Sequence, residues 1–87
     1  MEKAKDNITL TFGDDEITIK KPSRAVVSMA LSKGMVDPLA QAEVIIDNCY
    51  IEGTMTKDEV LADVGLLIGI NAQYAKLIGY KQVEIKN

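Results

Sequence analysis

Ile8-Thr9-Leu10-Thr11-Phe12-Gly13-Asp14-Asp15-Glu16-Ile17-Thr18-Ile19-Lys20 is the stretch that decides the fold class. Ile8, Leu10 and Phe12 alternate with Thr9 and Thr11, the period of a strand with one buried face. Gly13 through Glu16 read as a turn. Ile17 and Ile19 then resume the alternation, with Thr18 and Lys20 facing out. Two short strands joined by a Gly/Asp turn pair most readily with each other, so the spacing predicts a β-hairpin. A lone hairpin is marginal in water, and its apolar face must pack on helices. The expected fold is therefore α+β, with the hairpin lying across helices through Ile8, Leu10, Phe12, Ile17 and Ile19.

Working outward, residues 1–6 are charged and polar and read as a flexible tail ahead of a single domain spanning 7–87. Pro22 ends the second strand and Ser23 is placed to cap the next helix. Val26, Val27, Met29, Ala30 and Leu31 form an apolar stripe, Lys33 suits the helix C-terminus, and Gly34 is expected as a left-handed stop. Asp37-Pro38 opens a second helix, with Ala42, Ile45, Ile46 and Cys49 on one face and Glu43, Asp47 and Asn48 on the other. Gly53 is expected to mark its end. Thr56-Lys57-Asp58-Glu59 is a capping box. A third, long helix is predicted from there to about Ile78, stopped by Gly79. Val83 and Ile85 alternate with Gln82, Glu84 and Lys86, which makes a short C-terminal third strand possible beside the hairpin.

Composition narrows the function. Eighty-seven residues allow one domain. A chain of this size buries about 60–65% of its unfolded surface, so the core is modest. An apolar content of 47% argues against disorder. There is no His and no Trp, and the lone Cys49 has no partner for an internal disulfide, which suits a reducing cytosol. No glycine-rich phosphate loop is present. Ten basic and thirteen acidic residues give a net charge of −3, which disfavours nucleic acid. The charged N-terminus leads into no apolar signal region, and the longest apolar run, Val64 to Ile70, is far short of the ~20 residues that cross a bilayer. The expectation is a cytoplasmic, non-enzymatic protein with no catalytic residues, no cofactor and no metal.

Each candidate site has a plain structural alternative. Lys20, Lys21 and Arg24 form a basic cluster near a helix start, but no aromatic residues interleave for base stacking, and a solvated strand end explains them. Asp14, Asp15 and Glu16 lack the spacing of a calcium loop and read as a solvated turn. Cys49 has no His to activate it and lies on an apolar face, as a small core residue would. Met29, Met35 and Met55 offer adaptable apolar surface or ordinary core filling.

The third helix is the most unusual element. Val60, Val64, Leu67 and Tyr74 make one stripe, Leu61, Ile68, Ala72 and Ala75 a second, and Leu66, Ile70 and Leu77 a third. An ordinary surface helix carries one apolar stripe. Either this helix is central to the core, or part of it meets another chain. On the second reading at least one of Leu66, Ile70 and Leu77 is a partner contact, and Val64 is core. Gly65 and Gly69 within it mark either close backbone approach by another helix or strand, or a kink or break between two shorter helices.

The order of parts carries a resemblance. A short N-terminal hairpin runs into Lys20-Lys21-Pro22-Ser23-Arg24, then an Asp37-Pro38-x-x-Ala helix ends Ile46-x-x-Cys49-x-x-x-Gly53, and the chain closes on Val83-Glu84-Ile85-Lys86-Asn87. Over residues 8–87 this resembles the small tail assembly chaperones and related tail accessory proteins of siphophages and prophages. The resemblance implies a protein of the bacterial host cytoplasm that binds a tape-measure-like helical client and keeps its apolar helices soluble. It supplies no catalytic residues to carry over. The chain is shorter than many members, which leaves another small tail or head component open. The competing readings are a structural subunit that self-assembles into rings or a tube, a small interaction domain, a nucleic-acid-binding regulator without a visible basic recognition face, and, last, an enzyme.

Overall fold

In the computed structural model, which describes residues 7–86, the hairpin forms as the alternation predicts. Strand β1 (Asn7–Phe12) pairs antiparallel with β2 (Asp15–Lys20), with Leu10 opposite Ile17 and Ile8 opposite Ile19. All the apolar side chains of the pair thus share one face. Ile17 and Ile19 are fully buried, whereas Ile8, Leu10 and Phe12 are half-buried. The expected tail, residues 1–6, lies outside the described residues, as does Asn87.

Helix α1 (Arg24–Gly34) starts where Ser23 takes an extended backbone and its hydroxyl accepts the Val26 N–H at 3.3 Å. Its stripe is thinner than expected: only Ala30 is buried, and Met29 and Leu31 face solvent. Gly34 is not a left-handed stop. It is the last helical residue, and the positive-φ glycines are Gly13 and Gly79. A Cβ at Gly34 would collide with the Gln41 side chain, so what this position serves is the close approach of α1 to the next helix.

Helix α2 (Leu39–Cys49) is the hub: it packs against α1, β2 and the strand and two helices that follow it. Asp37 opens it from outside, its carboxylate accepting the Leu39 N–H at 3.1 Å. Ala42, Ile45, Ile46 and Cys49 are buried as the periodicity predicts, and Val44 joins them.

The third strand is not where the C-terminal alternation placed it. It is β3 (Tyr50–Gly53), which follows α2 directly and pairs antiparallel with β2, giving the order β1-β2-β3. Residues 83–86 form no strand. Gly53 does not end α2; it sits opposite Ile17, where an added Cβ would lie 2.6 Å from the Ile17 Cα. Only glycine lets the two backbones come this close. Thr54 then clips the strand to the hairpin turn: its N–H donates to the Glu16 carbonyl at 2.8 Å, and its hydroxyl accepts the Glu16 N–H at 2.9 Å and donates to the Asp15 carboxylate at 2.8 Å.

The long third helix is likewise divided, into α3 (Lys57–Leu61), α4 (Val64–Ala72) and α5 (Tyr74–Leu77). The capping box is present: Thr56 accepts the Glu59 N–H at 3.1 Å, and Glu59 accepts the Thr56 N–H at 2.8 Å. The break falls at neither Gly65 nor Gly69. Asp63 takes an extended backbone and caps α4, its carboxylate accepting the Leu66 N–H at 3.0 Å. The second break is at Gln73. At the far end Gly79, at φ +74°, lets the Tyr80 N–H reach back to the Ala75 carbonyl at 2.9 Å. No helix among the described residues is long and apolar enough to cross a membrane.

Candidate partner-binding surface

Helix α4 carries more apolar surface than the core takes up. From Val64 to Ala75 the sequence contains no charged side chain. Leu67 and Ile70 point into the core, against α2. The opposite side is not covered: Val64 is 55% exposed and Ile68 57%. These two residues stand one helical turn apart and form a short apolar ridge.

The ridge changes one part of the sequence reading of this segment, the place of Val64. Of Leu66, Ile70 and Leu77, at least one of which is expected at a partner contact, Ile70 and Leu77 are buried within this chain, at 4% and 3% exposure. Leu66 is half-buried. Val64, expected in the core, is on the surface. The physical reason is the break at Asp63, which resets the helical register, so stripes extrapolated from Val60 point the wrong way. The signal for the correct reading is Asp63 itself, a capping residue at the head of an apolar run.

Two concavities flank α4. Beyond Val64 lies an open depression lined by Met55, Ala62 and Val64, with the carboxylates of Asp15, Glu59 and Asp63 around it. On the other side, a groove of about 220 Å³ runs between β1 and α4, lined by Leu10, Phe12, Leu66, Gly69, Ile70 and Gln73. A Cβ on Gly69 meets nothing within 4 Å, so the groove has open space at its floor.

The remaining candidates resolve into structure. Asp15 is engaged by Thr54, and among the described residues no three His, Cys, Asp or Glu side chains come together to hold a metal ion. Lys20, Lys21 and Arg24 are exposed around buried Pro22. The Cys49 thiol is buried, and that burial pushes its pKa above the ordinary 9.0, outweighing the opposing pull of Lys20. A thiol held neutral is a poor nucleophile. Burial also raises the Tyr74 phenol above its ordinary value, and its hydroxyl finds no hydrogen-bond partner among the described residues. Tyr50 is the satisfied counterpart, its hydroxyl donating to the Met55 carbonyl. The site is thus an apolar ridge with an acidic border, suited to holding another apolar surface. No family model matches the chain, and it matches neither a curated protein nor a solved structure.

Proposed function

We propose that this protein is a non-enzymatic binding protein that holds an apolar helix of a client on the outer face of α4. The observation that carries the reading is the Val64–Ile68 ridge, an exposed apolar strip on a helix without charge. Burying two such side chains is worth roughly 1.5–3 kcal/mol each when both are fully covered. Met55, beside Val64, adds a side chain that repacks cheaply around different clients. The carboxylates of Asp15, Glu59 and Asp63 favour a client helix whose apolar face is flanked by Lys or Arg.

The resemblance to tail assembly chaperones makes the client a tape-measure-like helical protein and the site of action the bacterial host cytoplasm. Co-expression with such a client, measuring its soluble fraction, tests this. The wild-type protein should raise that fraction, and the Val64→Asp/Ile68→Asp pair should not, while keeping the wild-type circular dichroism spectrum. A client equally soluble with the variant would move the contact off α4, and a client no more soluble with the wild type would end the chaperone reading.

A further inference from the structure

The sheet has two edges, and they are not alike. Strand β3 is four residues long, carries Glu52, ends at Gly53 and meets β2 through a register shift between Thr18 and Ile19. Shortness, charge and irregularity are how folded proteins blunt an edge against pairing. Strand β1 has none of these protections. It is six residues long, it pairs with β2 in unbroken register, and from Asn7 to Phe12 it contains neither a charged residue nor a proline. Among the described residues nothing pairs with its outer side. That side opens directly onto the groove between Leu10, Phe12, Leu66 and Gly69.

The same chain carries a segment made to fill such an edge. After the left-handed turn at Gly79, residues 80–86 form no helix or strand, and Val83 and Ile85 are 83% and 86% exposed. Gln82-Val83-Glu84-Ile85-Lys86 has the alternation of a strand with one apolar face. Its five residues span about 17 Å when extended, against about 20 Å for β1. Val83 and Ile85 would then stand about 7 Å apart, the same spacing as Leu10 and Phe12.

We propose that residues 82–86 of one copy add as a strand to the outer edge of β1 in a second copy. Val83 and Ile85 enter the groove over Leu66 and Gly69, and Glu84 faces solvent on the side of Thr9 and Thr11. The occupant is a second copy because donor segment and acceptor edge each occur once among the described residues, matched in length and alternation, while within its own chain the segment forms no strand and Val83 and Ile85 are exposed. Two chains that exchange segments reciprocally close a two-fold dimer in which both β1 edges are paired. This association uses β1 and the C-terminal segment, not the α4 ridge, and so stands apart from client binding.

Sedimentation of the full chain from low micromolar to millimolar concentration tests it, with amide exchange recorded across residues 82–86. The wild type should pass from one copy to two, and the amides of 82–86 should slow in step with that mass change. Val83→Asp/Ile85→Asp should weaken association by roughly tenfold or more, because charges are buried at the contact without partners. Gly69→Glu, which places a carboxylate in open space on the groove floor, should do the same from the acceptor side. Both variants should keep the wild-type circular dichroism spectrum, and Val64→Asp/Ile68→Asp should dimerise normally. A chain that stays single at every concentration overturns the proposal. So does slow exchange of 82–86 in the single chain, which means docking in cis, and so does a dimer lost in Val64→Asp/Ile68→Asp but kept in the other two variants.

Discussion

Helices α2 and α4 are of similar length, eleven and nine residues, and pack against each other, yet they treat their apolar residues in opposite ways. In α2 the apolar side chains Ala42, Val44, Ile45, Ile46 and Cys49 are all buried, and Glu43, Asp47 and Asn48 take the solvent side. In α4 only Leu67 and Ile70 are buried, and Val64 and Ile68 are left in water with no polar residue in their place. A helix that only had to complete the core would follow the α2 pattern. Val64 and Ile68 are surplus to the core of this chain, and the binding site proposed for α4 rests on that surplus.

The largest effect separating the two helices is on stability. Ile45→Ala, which empties a fully buried site in α2, should cost about 2–5 kcal/mol, and Ile68→Ala on α4 should stay within about 0.5 kcal/mol. Urea unfolding of both variants checks this. Equal losses would mean that the α4 ridge is covered in solution. A smaller effect concerns the break that gives α4 its own register. Asp63→Ala removes the cap on the Leu66 N–H and should cost about 0.5–2 kcal/mol by the same measurement. No loss would mean that the break does not depend on this carboxylate.

The smallest effect is seen at alkaline pH. The Cys49 thiol and the Tyr74 phenol are both raised by burial above their ordinary values of 9.0 and 10.0. Each ionises more readily in the unfolded chain than in the folded one. The stability gained by keeping them neutral is therefore complete below the unfolded values and is lost as pH rises through the folded ones. Thermal midpoints should be insensitive to both groups near neutrality and decline above pH 9.0. Cys49→Ala on α2 and Tyr74→Phe beside α4 should each soften that decline, and curves parallel to the wild type would remove the group concerned from the account. Tyr74→Phe should be neutral or stabilising near neutrality, since it removes a buried hydroxyl that has no partner among the described residues.

What the sequence determined by itself is what a few neighbouring residues can settle. The alternation of Ile8, Leu10, Phe12, Ile17 and Ile19 specified the hairpin and its buried face. Ser23 and the Thr56/Glu59 box specified helix starts, each through bonds spanning three residues. The 3.6-residue period of Ala42, Ile45, Ile46 and Cys49 specified the face of α2. Tertiary structure decided the rest. Tyr50–Gly53 reads locally as a helix end; it is a strand because β2 offers an edge more than thirty residues back in the chain, opposite a glycine small enough to admit it. Whether 57–78 is one helix depended on how α3 and α4 each pack on α2, which the Asp63 cap permits but apolar periodicity does not reveal. The exposed ridge on α4 was hidden for the same reason. Apolar residues look alike in sequence whether they face the core or water, and only the packed neighbours around α4 distinguish Ile70 from Ile68.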